Sequence, residues 1–216
     1  MRRYQPTTPY LSRMLEIKSF TFGPFQTNMY IVSEGSKAVL IDPCCFSLAE
    51  QQQLLRYLES QSLHVAAILA THGHLDHLWG AKWACEQFGL PVLLHEADIP
   101  MAKGMQQQYE LFGIPLQAQS FPLAPLSEKS FHLSPFTFHL ISSPGHTPGS
   151  VCLYHEQDGV LFSGDTLFRM GYGRTDLPGG NTAQLIQSLE RLFTLPPATR
   201  VYPGHGETTT IAEEAR

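Results

Sequence analysis

The 216-residue sequence is poor in three features, and each scarcity argues against a class of protein. It has no run near the ~20 consecutive apolar residues that a membrane span needs, so we expect no membrane partner. The net charge is -5 and there is no basic block, which argues against nucleic acid as a partner. The 4 cysteines include no C-x-x-C pair and are too sparse for a disulfide scaffold. We therefore expect a protein of the reducing cytoplasm.

Hydrophobic residues make up 43% of the chain, which is enough to bury a substantial core at this length. The opening segment, Met1 to Arg13, lacks the continuous apolar run of a secretory signal. We predict a flexible tail over residues 1–13 and a single domain over residues 14–216. The sequence contains no pattern that indicates an oligomeric state.

Strands and helices are predicted in two successive sets, joined by short helices over residues 95–120. The first set has strands over residues 15–22, 28–33, 38–41, 65–70 and 91–94. The second set begins near residue 131 and ends with a strand over residues 200–202. Capping signals predict a helix over residues 48–60 and another, after Asn181, that bears Leu185, Ile186, Leu189 and Leu192. Two packed sheets flanked by helices satisfy this order, with the functional site where the sheets meet at one edge.

The stretch Thr71-His72-Gly73-His74-Leu75-Asp76-His77 places four metal-competent side chains within six residues, directly after a predicted buried strand. In an extended segment His72 and His74 project to the same side, while Asp76 and His77 follow on the incoming turn. One short loop can therefore supply ligands to two neighbouring ions. Isolated histidines are usually surface or hydrogen-bonded residues, and we interpret the scattered ones in this way: His64, His95, His132, His139 and His155.

Three later turns share one arrangement, in which a strand is followed by a glycine and then by a candidate ligand. They are Gly145-His146, Gly164-Asp165 and Gly204-His205. Glycine lets the backbone turn sharply, and the carboxyl ends of strands are where open α/β folds place their ligands. Together with the first stretch, these turns predict a metal site rather than a set of surface histidines.

These motifs resemble the signature of the metallo-β-lactamase fold superfamily, in particular its glyoxalase II (hydroxyacylglutathione hydrolase) branch. The resemblance rests on Thr71 to His77, Pro144 to Gly149, Ser163 to Phe168 and Gly204 to Gly206, and it covers nearly the whole chain from about Leu15. It implies a mixed α/β (α+β) fold of the four-layer αββα sandwich type. It also implies two divalent metal ions, one held by His72, His74 and His146, the other by Asp76, His77 and His205, with Asp165 bridging them.

The resemblance further implies hydrolysis of a small-molecule thioester, such as S-lactoylglutathione, to a free acid and a thiol. Six ligands and one shared carboxylate leave each ion an open position, so that a hydroxide held between the ions would attack the carbonyl carbon. Asp76 is placed either to orient this hydroxide or to act as a plain ligand. Zinc is the expected metal, with iron or manganese as alternatives, because these ligand types do not select one metal.

Arg174 is the predicted substrate-binding residue, because residues 171–174 resemble the loop whose basic residue contacts glutathione in that branch. A surface arginine paired with Asp176 is the alternative. The chain ends soon after its last motif, so we expect a short form without the C-terminal helical domain that helps hold glutathione. Glu207 stands where the family often has tyrosine, and a carboxylate there suits the acidic tripeptide poorly.

Two other functions stay open. Residues 173–176 are similar to the corresponding stretch of persulfide dioxygenases, which share the fold and use one iron. In that case His72, His146 and Asp165 would form a two-histidine, one-carboxylate site for the iron. A non-catalytic member that binds metal for stability is the third alternative. Hydrolysis of β-lactams is disfavoured, because Asp165 replaces the second-site cysteine typical of metallo-β-lactamases proper.

Overall fold

A computed structural model of the chain describes residues 14–126 and 129–215. The predicted flexible tail, residues 1–13, lies outside these described residues. Two six-stranded sheets pack face to face, and helices cover both outer faces. The predicted four-layer αββα sandwich is therefore confirmed.

The first sheet follows the chain order and is formed by β1 (Glu16–Phe22), β2 (Thr27–Glu34), β3 (Lys37–Ile41), β4 (His64–Leu69), β5 (Val92–Leu94) and β6 (Leu123–Pro125). The helices on its outer face are α1 (Leu48–Ser60), α2 (Ala81–Phe88), α3 (Ile99–Lys103) and α4 (Met105–Leu111), and a short 3-10 helix (Glu96–Asp98) precedes α3.

The second sheet begins with β7 (Ser130–Leu133), β8 (Phe136–Ser142), β9 (Val151–His155) and β10 (Val160–Gly164). Two short strands, β11 (Leu167–Phe168) and β12 (Gly171–Tyr172), then form a separate ribbon. The sheet is completed by β13 (Arg200–Pro203) and β14 (Thr209–Thr210). Its outer face is covered by α5 (Thr182–Leu192) and α6 (Ile211–Glu214).

The core is divided into layers by the alternation of side chains along each strand. In β2, Tyr30 and Val32 lie between the two sheets, whereas Met29 and Ile31 face the helices outside the first sheet. In β10, Phe162 lies between the sheets in the same way. A strand buried on both faces explains why its sequence reads as a continuous apolar run.

Both predicted helix starts are confirmed by their caps. The Ser47 hydroxyl accepts from Glu50 N at 3.3 Å, while the Glu50 carboxylate accepts from Ser47 N at 2.8 Å. Asn181 Oδ1 accepts from Gln184 N at 3.1 Å. Ile186 on α5 is 52% exposed and so does not belong to the buried face of that helix. The short elements β6, β14 and α6 were not predicted, because two to four residues cannot display a period.

Parallel pairing brings the functional loops to one edge of the sandwich. β3 pairs in parallel with β4 and β10 with β13, so the carboxyl ends of these strands lie together. The two sheets are joined here, because Asn28 N donates to the Gly204 carbonyl at 2.7 Å and Asn28 Nδ2 to the Pro203 carbonyl at 3.0 Å. Among the described residues, no helix has both the length and the apolar character to cross a membrane.

Candidate metal centre

All seven predicted metal ligands lie together at the edge where the two sheets meet. Three groups each bring their ligand atoms within 4.8 Å of one another, namely His72, His74 and His146; Asp76, His77 and His205; and His72, His77 and Asp165. The first two groups match the two ligand sets that the sequence resemblance implies. The third group connects them into one continuous cluster.

Asp165 lies between the two ligand sets. Its Oδ1 is 3.2 Å from His77 Nε2, and its Oδ2 is 3.5 Å from both His146 Nε2 and His205 Nε2. One carboxylate oxygen therefore faces a histidine of the second set, and the other faces a histidine of each set. This position suits a ligand shared by two ions.

Two glycines from other loops, Gly204 and Gly173, pack so closely against Asp165 that neither position has room for a side chain. A Cβ at Gly204 would overlap Asp165 Oδ1 and would lie 2.7 Å from His77 Cε1. A Cβ at Gly173 would overlap the Asp165 carbonyl and would lie 3.2 Å from His146 Nδ1. The glycine beside a ligand thus makes room for the ligands of neighbouring loops.

Asp42 fixes the orientation of two of the histidines. Its carboxylate accepts from Thr71 N at 2.7 Å, from Thr71 Oγ1 at 2.9 Å and from His77 Nδ1 at 3.0 Å. The Thr71 hydroxyl donates its only proton to Asp42, so in the 3.1 Å hydrogen bond between Thr71 Oγ1 and His72 Nδ1 the imidazole is the donor. Both rings consequently turn Nε2 toward the centre of the cluster.

His146 is oriented by the main chain. Its Nδ1 donates to the Arg174 carbonyl at 2.7 Å, so its Nε2 carries a free electron pair. This Nε2 lies 2.8 Å from His74 Nδ1. The first ligand set therefore offers Nε2 of His72 and His146 and Nδ1 of His74.

Within the part of the chain that the structure describes, three buried atoms of the cluster have no hydrogen-bond partner, namely His72 Nε2, His77 Nε2 and Asp165 Oδ1. The last two are 3.2 Å apart, but they do not align as a hydrogen bond. An unpaired buried polar atom usually costs ~1–3 kcal/mol. Imidazole nitrogens and carboxylate oxygens are good ligands for divalent ions, so the residues present fit a metal site.

The charges of the cluster also suit cations. Burial, and next the neighbouring imidazoles, lower the pKa of His74 to about 3. Burial alone would raise the pKa of Asp76, but His77 and His205 outweigh it and lower this pKa to about 2. Burial alone would lower the pKa of His205, but the carboxylates of Asp165 and Asp76 raise it to about 9. The carboxylates therefore attract positive charge to this side of the cluster, which a proton or a metal ion can supply.

Asp98 is a buried residue that the sequence did not single out. Its carboxylate accepts from Gly73 N at 2.8 Å, from Thr147 Oγ1 at 2.6 Å and from Gly149 N at 2.6 Å. The first donor lies in the loop that carries His72 to His77, and the others follow His146. Asp98 thus ties together the two loops that form the first ligand set.

Two further supporting residues were missed, although one of them had a recognisable signal. Asp42 directly follows β3, which is the same strand-end placement as the predicted ligands. Thr27, whose Oγ1 donates to Asp76 Oδ2 at 2.7 Å, begins β2 and carries no such signal. Polar residues at the carboxyl ends of parallel strands therefore include supports as well as ligands.

The Arg174 side chain lies outside the cluster. Its guanidinium donates two hydrogen bonds to the Asp176 carboxylate, at 2.7 and 2.6 Å, and it is 56% exposed. This pairing is the alternative that the sequence left open. Glu207 forms an ion pair with Arg169. Binding of an anionic substrate at Arg174 would require its guanidinium to leave Asp176.

The five histidines outside the motifs lie apart from the ligand groups. None of the five scattered histidines belongs to a ligand group within residues 14–126 and 129–215. In the same described residues, the set suggested for iron, His72, His146 and Asp165, is not one of the three groups. Two groups do combine two histidines with one carboxylate, and both of them include His77.

Removing bound metal ions is expected to lower the free energy of unfolding by about 3 kcal/mol, since ions held only by the folded state stabilise it by mass action. The measurement is urea-induced unfolding of metal-loaded and EDTA-treated protein, followed by circular dichroism. Adding zinc back to the treated protein serves as the control and should restore the midpoint. An unchanged midpoint after complete metal removal would contradict the metal site.

Comparisons with known proteins agree with this geometry. A family model described as metallo-beta-lactamase superfamily matches residues 22–205. The hydroxyacylglutathione hydrolase GloC of Haemophilus influenzae is 33% identical over 197 residues, covering 89% of this chain and 91% of that protein. The structure of TTHA1623 in a di-iron-bound form has 41% identity and a TM-score of 0.82, with 92% and 97% covered. The BLEG-1 B3 metallo-beta-lactamase has 36% identity and a TM-score of 0.82, with 92% and 96% covered.

Proposed function

Because the chain belongs to the metallo-beta-lactamase superfamily and is a metal-dependent hydrolase, we propose that its substrate is a small-molecule thioester. The observation that carries this proposal is the pair of ligand groups joined at Asp165, which suits two ions acting on one carbonyl group. The similarity to the hydroxyacylglutathione hydrolase GloC supports the same reaction. The products are a free acid and a thiol.

In this proposal one divalent ion would be held by His72, His74 and His146, a second would be held by Asp76, His77 and His205, and Asp165 would be shared by both. These donors are imidazoles and carboxylates, which zinc, iron and manganese all accept. When bound, the ions supply an acidified water and polarise the carbonyl oxygen of the substrate. Asp42 and the Arg174 carbonyl keep the rings in the tautomers that this binding needs.

Asp76 is the proposed catalytic residue. Thr27 Oγ1 donates to Asp76 Oδ2 at 2.7 Å, and His205 Nε2 lies 3.2 Å from the same oxygen. These contacts fix the carboxylate, so that Oδ1 can accept a hydrogen bond from the attacking water and orient it. A thiolate is a good leaving group, and its departure needs no acid from the protein.

Turnover of S-lactoylglutathione by the purified, metal-loaded protein tests the proposal. We expect release of free thiol, followed with a thiol reagent, and two divalent ions per chain in elemental analysis. Nitrocefin, a β-lactam, belongs in the same assay because of the similarity to BLEG-1. Hydrolysis of nitrocefin without hydrolysis of any thioester would contradict the proposal.

Persulfide dioxygenase is the second candidate, and one observation favours it. Residues 173–176 resemble the corresponding stretch of that family. This candidate predicts one iron per chain and consumption of oxygen with glutathione persulfide, measured with an oxygen electrode. Oxygen uptake without thiol release from thioesters would displace the hydrolase proposal.

A further inference from the structure

An open cleft of about 390 Å³ lies beside the candidate metal centre, and His74 forms part of its lining. This volume is typical of small-molecule sites. The cleft lies between residues 97–112 on one side and residues 177–179 with Pro148 on the other. Its walls are largely apolar and include Met101, Leu111, Phe112, Leu177 and Pro178.

The cleft offers no charge to a ligand. Among the described residues that line it there is no lysine, arginine, aspartate or glutamate. Its polar side chains include Gln108, whose amide is already used: Oε1 accepts from Leu75 N at 2.9 Å, and Nε2 donates to the Gly73 and Met101 carbonyls at 3.1 and 3.0 Å. A carboxylate or phosphate that entered the cleft away from His74 would lose its water without meeting a cationic side chain.

The apolar wall is built onto the loop that carries the metal ligands. The hydrogen bonds of Gln108 attach α4 to Gly73 and Leu75 in that loop. At the end of α4 the ring of Phe112 packs edge-on against Phe25, with centroids 5.8 Å apart, and Phe25 in turn packs on Trp79 at 5.3 Å. A substrate therefore meets a wall whose contacts are already formed, which lowers the entropy cost of binding.

We propose that this cleft binds the acyl group of the thioester and that the enzyme prefers apolar acyl chains of medium length to a short hydroxyacyl group. This inference rests on the proposed thioester hydrolysis. Thiol carriers such as glutathione bear charged groups, so the acyl side is the part of a thioester that can be wholly apolar. Because His74 belongs both to the cleft and to the first ligand set, an acyl chain in the cleft holds its carbonyl next to the metal centre.

The chain-length dependence of hydrolysis tests this inference. The acetyl, butyryl, hexanoyl and octanoyl thioesters of N-acetylcysteamine share one uncharged thiol and differ only in the acyl chain. The free energy gained by fully burying one methylene corresponds to about a fourfold increase in kcat/KM. Because the cleft is open to solvent, we expect about half of this free energy to be gained. We therefore expect kcat/KM to rise about twofold for each added methylene, mainly through a lower KM.

A matched pair of variants locates the effect in the cleft. Leu111, which lines the cleft, and Ile186, which lies on α5 outside it, are 56% and 52% exposed, so glutamine should be tolerated at both positions. We expect Leu111→Gln to reduce the octanoyl-to-acetyl ratio of kcat/KM about fivefold. Ile186→Gln should leave this ratio as it is in the unsubstituted protein. An equal ratio in both variants would overturn the role of this wall.

Binding of thioethers separates the cleft from the chemistry. In these analogues a methylene replaces the carbonyl, so they cannot be hydrolysed, and calorimetry should show tighter binding for the long-chain thioether, with a negative heat-capacity change. Hydrolysis of the acetyl thioester with a flat or falling chain-length series would overturn the inference but leave the proposed hydrolysis standing. No hydrolysis of this series or of S-lactoylglutathione by metal-loaded protein would overturn the proposed function, whereas hydrolysis of S-lactoylglutathione alone would overturn only the inference. Equal affinity for long and short thioethers would overturn the assignment of the cleft itself.

Discussion

Replacing Asp165 by asparagine is expected to lower kcat/KM for thioester hydrolysis roughly a thousandfold and to reduce bound metal toward one ion per chain. Asp165 is the residue between the ligand sets, with Oδ1 3.2 Å from His77 Nε2 and Oδ2 3.5 Å from His146 Nε2 and His205 Nε2. An amide keeps the shape of the carboxylate but has no charge and only one acceptor oxygen, so it cannot serve two cations. The measurements are steady-state kinetics with S-lactoylglutathione and elemental analysis of the purified variant.

Asp158→Asn is the matched control for this experiment. Asp158 lies in the turn between β9 and β10, its side chain is 6% exposed, and its carboxylate accepts from Leu15 N at 2.7 Å. It is a buried carboxylate outside the cluster, so we expect its substitution to leave kinetics and metal content unchanged. An Asp165→Asn variant that keeps full activity and both ions would show that this carboxylate bridges nothing.

The convergence of the candidate ligands was predictable because each of them has a local signal in the chain. An apolar strand is followed within a few residues by glycine and a metal-competent side chain, and parallel pairing of β3 with β4 and of β10 with β13 brings these ends together. Gly204 shows why the glycine is part of the signal, since any side chain there would collide with Asp165. Glycine in this sequence pattern therefore indicates close packing between the loops of the site as well as a sharp turn of the backbone.

The residues that hydrogen-bond to the candidate ligands and their loops had no such signal in the sequence, and neither did the residues that line the cleft. Both depend on contacts between distant segments. Asp98 is 25 residues from Gly73 and 49 residues from Thr147, which donate to it. Leu111 and Ile186 look alike as apolar helix residues, yet one lines the cleft and the other faces outward. Only the packing of the helices against the ligand loops distinguishes these two positions.

Replacing Asp98 by alanine is expected to lower the free energy of unfolding by about 4 kcal/mol, because three buried donors lose a charged acceptor at once. These donors are Gly73 N, Thr147 Oγ1 and Gly149 N, at 2.6 to 2.8 Å. Since they belong to the two loops of the first ligand set, metal affinity at that set should also fall, by about 10- to 100-fold. Urea-induced unfolding of metal-free protein measures the first effect, and zinc titration measures the second.

Asp158→Ala separates this positioning role from the general cost of losing a buried carboxylate. Within the described residues, Asp158 accepts one backbone hydrogen bond, from Leu15 N, and its carboxylate lies 3.5 Å from His155 Nδ1. Its removal should cost about 1 kcal/mol and leave zinc affinity unchanged. If Asp98 only filled space in the core, Asp98→Ala would lower stability but keep the affinity of the first ligand set. If Asp98 positions the two loops, zinc affinity should fall with Asp98→Ala and stay unchanged with Asp158→Ala, because only the first variant removes the acceptor that the loops share.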